Sequence, residues 1–302
     1  MLKFLILGSS GFIGKNFLNY IEKNKLHNKN VFAGVDKIKV SDKYFDDFKF
    51  IQSDLSDFLS LEKIILNESP DYILNFAGLF SSTTFDELLK INAGLSRNIF
   101  EILCRNKMKI KRVLLIGSAA EYGNCSSIPI KENTNLNPIT EYGLSKVVQT
   151  QYSLYYMNKG VDINIARTFN IIGKGVPSIL SIGNFVSQIK NLRDGDSIYA
   201  GNLNSKRDFL DTDEVIDAYW KIIISGEPNE IYNVCSGQSV SMKDILDYLI
   251  KVSGKNIIIK INPDFIKPND ILDSCGDNTK LKSDTGWTNK ASIFKSASKI
   301  FS

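Results

Sequence analysis

Tyr142 and Lys146, in the run Tyr-Gly-Leu-Ser-Lys, stand four residues apart and share one face of any helix that carries them. A phenol is a weak acid with a reference pKa of about 10, and an ammonium beside it favours the phenolate by charge attraction. Bringing the phenol toward neutrality takes about three pKa units, or about 4 kcal/mol. Lys146 and a further positive charge close by are able to share that task. The pair is therefore a candidate proton donor and acceptor at the oxygen of an alcohol or ketone. Ser118 closes a separate apolar run, where its hydroxyl can hydrogen-bond the same reacting oxygen.

A second motif gives this pair its weight. Gly8-Ser9-Ser10-Gly11-Phe12-Ile13-Gly14 follows an apolar run and opens an amphipathic one. Gly8 permits a tight turn, Gly11 lets the backbone approach a pyrophosphate, and Gly14 allows a helix to pack closely on a sheet. The helix start at Phe12 and Ile13 then presents free N–H groups and a positive dipole end to the phosphates. Asp36, 22 residues past Gly14, ends the second predicted strand, where a carboxylate accepts hydrogen bonds from the adenosine ribose. The same charge repels a 2′-phosphate, so the expected cofactor is NAD(H) rather than NADP(H). Lys37 is a counter-signal, because its charge could neutralise that phosphate. Asp54 and Leu55, after the third strand, are candidates for the adenine edge, with plain surface placement the rival for Asp54.

The elements that must position these groups follow from hydrophobic period. Short apolar runs without alternation predict buried strands at 4–7, 31–35, 48–52, 72–76, 113–116 and 163–168. Longer amphipathic stretches predict helices at 12–24, 59–66, 85–107 and 142–159. Strand–helix alternation implies right-handed βαβ units and a Rossmann-type, doubly wound parallel sheet, an α/β fold. Past residue 168 the pattern changes to helices at 183–193, 213–225 and 241–252 and strands at 231–234 and 257–261. Ser241 and Asp244 fit a capping box at the last of these helices. The expected organisation is a dinucleotide-binding domain over 1–168 and a smaller mixed α/β substrate lobe over 169–302, with chain crossovers between them.

Composition narrows the function classes. The 302 residues are 43% hydrophobic and 23% charged, with a net charge of +4, which fits a globular chain. No basic stripe with interleaved aromatics occurs, so no nucleic-acid partner is expected. No apolar run approaches a membrane span, and the one near the start is too short for a signal peptide. The four cysteines, Cys104, Cys125, Cys235 and Cys275, lack CxxC spacing, so neither zinc nor a dithiol site is expected and a reducing cytoplasm is. The single histidine, His27, reads as a solvated loop residue, and no metal site is expected. Trp287 and the Gly286 turn read as packing.

The stretches GSSGFIG at 8–14, NFAGL at 75–79, GSAAEYG at 117–123, YGLSK at 142–146 and ARTFN at 166–170 resemble the extended short-chain dehydrogenase/reductase family of nucleotide-sugar epimerases, dehydratases and reductases. The resemblance covers nearly the whole chain. It implies Tyr142 as general acid/base, Lys146 as the group that binds the nicotinamide ribose and lowers the tyrosine pKa, and Ser118 as an assisting hydroxyl on the substrate. It places Phe76, Ala77 and Gly78 beside the cofactor and Asn170 on the substrate diphosphate. AGNLNSKRDFLDTDEVIDAYW at 200–220, IYNVCSG at 231–237, KPND at 267–270 and GDNTKLKSDTGW at 276–287 look most like GDP-4-keto-6-deoxymannose reductases. That likeness puts Arg207 over the nucleotide diphosphate and makes Lys267 a second nucleotide contact, with a solvated surface lysine as the alternative. It also implies a homodimer or higher homo-oligomer built on helices 85–107 and 142–159, and a place in surface-polysaccharide synthesis.

Departures from the family pattern sharpen the expectation. Dehydratases carry acids at the two positions after the Ser/Thr; here Ala119 and Ala120 stand there, and methyl groups cannot shuttle protons. Glu121, one position on, reads as a holder of the Tyr122 loop. GDP-fucose epimerase–reductases need a histidine after the Asn170 position, where this chain has Ile171-Ile172-Gly173. UDP-galactose epimerases usually follow FAGL with lysine, and here it is Phe80. The expected activity is NAD(H)-dependent interconversion of hydroxyl and ketone at C4 of a GDP-linked, manno-configured 6-deoxyhexose or heptose, as 4-keto reductase or 4-dehydrogenase. An NAD-retaining 4-epimerase and a non-catalytic NAD-binding protein are the alternatives.

Overall fold

Alternate side chains of a strand point to opposite faces, so an unbroken apolar run fills two cores at once. In the computed structural model, which describes residues 1–39, 44–45, 47–266 and 270–301, the first strand does this. Phe4 and Ile6 join one core with Phe17, Leu18, Tyr219 and Trp287. Leu5 and Leu7 join the other with Ile73, Phe100, Leu103 and Ile163.

The first part of the chain runs β1 (Leu2–Leu7), α1 (Phe12–Lys23), β2 (Asn30–Asp36), β3 (Lys49–Gln52), α2 (Phe58–Glu68), β4 (Tyr72–Asn75), α3 (Phe85–Leu88), α4 (Leu95–Arg105), β5 (Arg112–Ser118), α5 (Glu141–Met157) and β6 (Ile163–Thr168). It continues with β7 (Asn170–Ile172), α6 (Ser181–Asn191), β8 (Ser197–Ala200), β9 (Lys206–Asp211), α7 (Thr212–Ser225), β10 (Ile231–Val234), β11 (Ser239–Ser241), α8 (Met242–Ser253), β12 (Ile258–Ile261), β13 (Asp273–Ser274), α9 (Thr279–Thr285) and α10 (Ile293–Ser298). A seven-stranded sheet of order β10-β6-β5-β4-β1-β2-β3 is parallel throughout. The order reverses at β1, between β4 and β2, and such a reversal opens a crevice beyond the carboxyl ends of the strands. The glycine turn after β1, the run after β4 and Ser118 at the end of β5 all lie on that edge. A smaller sheet holds β11, β9 and β13, with β7 also on β9, and β8 pairs with β12. Among the described residues no helix is long and apolar enough to cross a membrane.

Two expectations need correction. The helix predicted over 85–107 is interrupted: a π-helical stretch, Leu89–Gly94, separates α3 from α4. Its wider turn brings Asn92 inward, where Oδ1 accepts the Leu79 N–H at 2.8 Å and Nδ2 donates to Leu79 O and Ser145 Oγ, each at 2.9 Å. His27 is not solvated; it sits half-buried in a 3-10 turn because Phe45 stacks on its ring at 4.9 Å. The Ser241 cap is present, with Oγ accepting the Asp244 N–H at 3.0 Å.

Candidate active site

The glycine turn has no room for a side chain at Gly8 or Gly14. A Cβ on Gly8, whose φ is +80°, would lie 2.5 Å from Ala77 N, and one on Gly14 would lie 2.3 Å from Gly8 O. The turn after β1 therefore touches the run after β4, and Phe76, Ala77 and Gly78 stand beside it. Gly11 caps α1 without a side-chain hydrogen bond, which leaves the first-turn amides at Phe12 and Ile13 available to an anion. Asp36 braces the turn: Oδ2 accepts the Ser10 N–H at 3.0 Å, while Oδ1 accepts the Lys37 N–H at 2.7 Å. Lys37 is engaged by Asp54 at 3.0 Å, and the Ser56 N–H caps the same carboxylate at 2.8 Å. Burial is the largest single influence on Asp54 and raises it, but the hydrogen bonds from Ser56 and Lys37 together hold its carboxyl below the usual carboxylate range. Leu55 and the Phe76 ring turn into the two cores; Phe76 packs edge-on to Phe17 at 5.1 Å. A bare, tightly packed turn, an uncapped helix start and an acid at the end of β2 fit a dinucleotide.

Next to this turn stand the three candidate catalytic side chains. Thr140 caps α5 through the Gly143 N–H at 3.0 Å, which fixes the helix start and with it Tyr142. The Ser118 hydroxyl stands close enough to act on the ionisation of the Tyr142 phenol. The Ala120 N–H donates to Ser118 Oγ at 3.2 Å, so the serine proton is free to point at the phenol oxygen. Lys146 Nζ donates to Ile116 O at 2.9 Å and to Gln149 Oε1 at 3.0 Å. Among the described residues its third donor meets no protein acceptor, and a Cβ on Gly78 would lie only 3.6 Å from Nζ. A ribose hydroxyl suits that remaining donor.

Burial governs the ionisation of the pair. Burial pushes the Tyr142 phenol up to about 12, with Ser118 pulling the other way and Glu121 adding to the rise. The same desolvation draws Lys146 down to about 8, against the raising influence of Glu121. Phe80 covers the phenol, its ring 5.0 Å from that of Tyr142. With its ammonium turned to Ile116 O and Gln149, Lys146 does not overcome that desolvation. At neutral pH the phenol therefore holds its proton and stands as a donor.

The small sheet gathers the substrate-side candidates. Asn170 on β7 pairs opposite Phe209 on β9, two positions from Arg207. Its Nδ2 donates to Asp208 O at 3.3 Å. Arg207 is tied back, with Nη2 on Asp270 Oδ1 at 2.9 Å and Nη1 on Ile271 O at 2.5 Å. Lys267 lies outside the described residues.

Three residues that were not candidates for the site hold this arrangement. Asn92 fastens the strap around Leu79 to α5 through Ser145. Asp208 is fully buried and accepts from Ser236 N, Ser236 Oγ, Gly237 N and Gly276 N at 2.6–3.2 Å, so two loops close under Arg207. Burial pushes its carboxyl up despite those donors. Glu121 pairs with Arg167 at 3.0 Å beneath Ser118, both side chains shielded from solvent. Glu121 and Asp208 sit inside the motif stretches at 117–123 and 200–220, but neither spacing nor period marks them as ties.

Residues 4–235 match the family described as the NAD dependent epimerase/dehydratase family. The chain is 28% identical over 290 residues to the GDP-6-deoxy-D-talose 4-dehydrogenase of Aggregatibacter actinomycetemcomitans, covering 93% of this chain and 90% of that protein. It is 27% identical over 245 residues to the GDP-6-deoxy-D-mannose reductase of Pseudomonas aeruginosa, covering 78% and 80%. The solved structure of RMD from Pseudomonas aeruginosa complexed with NADPH is similar with a TM-score of 0.80 at 25% identity, over 99% of this chain and 97% of that one.

Proposed function

The chain belongs to the NAD dependent epimerase/dehydratase family, and from that premise we propose that it interconverts hydroxyl and ketone at C4 of a GDP-linked, manno-configured sugar, a 6-deoxyhexose or a heptose. It is an NAD-dependent enzyme of nucleotide sugars; the GDP-manno substrate and the C4 position are the reading's own step. The observation that carries it is the phenol of Tyr142, within reach of Ser118 and one helical turn from Lys146, whose ammonium stands by Gly78 in the run that packs on the glycine turn. Two relatives named for GDP-6-deoxy sugars support the choice of substrate. When bound, NAD(H) supplies or takes the hydride at C4. In reduction Tyr142 gives its proton to the C4 oxygen while Ser118 holds that oxygen; in oxidation the phenolate takes the hydroxyl proton back. Lys146 holds the nicotinamide ribose. Arg207 meets the diphosphate by exchanging the Asp270 carboxylate for phosphate oxygens, for which its fork is suited. The protonated phenol favours ketone reduction at neutral pH. Four free thiols fit action in the cytoplasm, and the exposed Leu144, Leu154 and Tyr155 on α5 fit a helix-to-helix homodimer.

Incubation with GDP-4-keto-6-deoxymannose and NADH is expected to consume nicotinamide absorbance in step with formation of the alcohol, read by mass spectrometry. An isomerised sugar with no net absorbance change would replace this reading with that of an NAD-retaining 4-epimerase. Failure to bind any guanine nucleotide would remove the named substrate.

Asp36 sets the second expectation. The structure of RMD from Pseudomonas aeruginosa holds NADPH, whereas in this chain a 2′-phosphate would meet the Asp36 carboxylate, with Lys37 already engaged by Asp54. Like charges a few ångströms apart cost on the order of 1 kcal/mol or more. NADH is therefore expected to bind about tenfold or more tightly than NADPH, and Asp36→Asn to narrow that gap. Tighter NADPH binding in a fluorescence titration would refute the assignment.

A further inference from the structure

We propose that Glu121 is a positioning residue for the reaction: its buried carboxylate bolts the Ser118 loop to the face of α5 that carries Tyr142 and Lys146. The proposal rests on the reading of Tyr142 as the proton-transfer group. One carboxylate ties three elements together. Oε1 accepts the Ser118 N–H at 2.8 Å. Oε2 accepts the Thr150 hydroxyl at 2.7 Å and Arg167 Nε at 3.0 Å. Thr150 follows Lys146 by four residues and Tyr142 by eight, so all three lie along one side of α5. Ser118 and Glu121 also form a reciprocal capping box on the short 3-10 turn Ala119–Glu121, which fixes the direction in which the chain leaves β5. Gly117 is bare at the point where the carboxylate enters, since a Cβ there would lie 2.7 Å from Oε1.

Packing alone does not call for a charge here. Replacing a buried ion pair with apolar groups of similar volume is often neutral or stabilising. What the charge adds is a field at the site. The ionisable groups facing this region are Arg167 on β6, Tyr122 and Glu132 on the loop beyond β5, Tyr142 and Lys146 on α5, and Tyr219 on α7. Glu121 raises both Tyr142 and Lys146. It adds to the rise that burial gives the phenol and opposes the loss of charge that burial imposes on the lysine. A serine hydroxyl, a phenol and an ammonium are thus held in place by a residue that touches neither substrate nor cofactor.

The test uses the full chain with Glu121→Gln and Thr150→Val, assayed with NADH and GDP-4-keto-6-deoxymannose. Glu121→Gln keeps the shape and removes the charge; Thr150→Val keeps the charge and removes one tie. Glu121→Gln is expected to lower kcat about 10- to 100-fold with KM unchanged, as small misplacements of reacting groups do. It is also expected to move the Tyr142 titration midpoint down, since a carboxylate that raises the phenol loses its charge. That midpoint is read without substrate, as the difference in ultraviolet phenolate absorbance between each protein and its Tyr142→Phe counterpart. Thr150→Val is expected to lower kcat and leave the midpoint in place. A folded Glu121→Gln protein with an unmoved midpoint and full kcat overturns the proposal. If Glu121→Gln does not fold, full turnover in Thr150→Val overturns it. Full turnover in Tyr142→Phe instead overturns the reading of the site itself, and the two failures are thereby told apart.

Discussion

Tyr142→Phe is expected to lower turnover about 100- to 10,000-fold, the range that a positioned proton donor contributes, and to leave NAD(H) affinity unchanged. The substitution removes one oxygen and nothing else. The ring that remains keeps its contact with Phe80, 5.0 Å between centroids, and the Thr140 cap holds α5 through Gly143 rather than through residue 142. The glycine turn, Asp36 and Lys146 are untouched. What disappears is the proton that burial keeps on the phenol, at a pKa pushed up to about 12. The pH profile carries the sign. Ketone reduction needs the phenol protonated and Lys146 charged, so the rate holds through neutrality and first falls near pH 8, where desolvation has placed the lysine. Oxidation needs the phenolate and gains with rising pH until Lys146 discharges. Steady-state kcat for the variant, with NADH binding measured by fluorescence, decides the matter; a variant that turns over like the parent removes Tyr142 from the chemistry.

How much of this was legible in the chain depended on whether residues act through period or through place. β6 spans Ile163–Thr168, the same six residues predicted, because Ile163, Ile165 and Ala166 mark it as buried, while Asn164 and Arg167, equally buried, spend their polar groups on Glu227 O and Glu121. The glycine turn and Asp36 were equally legible, since Gly8 and Gly14 each answer a steric demand that fixes their spacing. β9 was not. Its sequence, Lys-Arg-Asp-Phe-Leu-Asp, carries four charges in six residues, because Asp208 is consumed by loop amides and Arg207 by Asp270 rather than by solvent. Nor was the π-helical stretch at Leu89–Gly94 legible, because Asn92 serves a strap thirteen residues away in sequence and no helical period records that partner. Leu55 and Phe76 show the converse. Both were candidates beside the cofactor, and both send their apolar side chains into the cores.

Arg167→Met is expected to destabilise the protein by about 3–5 kcal/mol, the cost of leaving a buried charge without its partner. The arginine is 2% exposed and Glu121 fully buried, so water does not replace the lost ion pair. Beyond Glu121, the guanidinium donates to Tyr122 Oη at 3.1 Å and Glu132 O at 3.0 Å. Its carbon also stands 4.9 Å from the Tyr122 ring centroid. Tyr122 in turn donates to Asn233 Oδ1 at 2.7 Å, so the arginine joins β6 to β10 as well as to the Ser118 loop. Methionine fills similar volume and supplies none of these donors. For a chain of this size the loss corresponds to a fall in Tm on the order of 10 °C. The double variant Arg167→Met with Glu121→Gln separates orphaned charge from lost packing. If the charge is the cause, adding Glu121→Gln returns part of the stability that Arg167→Met removes, since no buried carboxylate is then left alone. Urea unfolding of the three proteins measures the coupling. A single variant as stable as the parent, or a double variant whose loss is the plain sum of the two, would show that the pair is not held together by its charges.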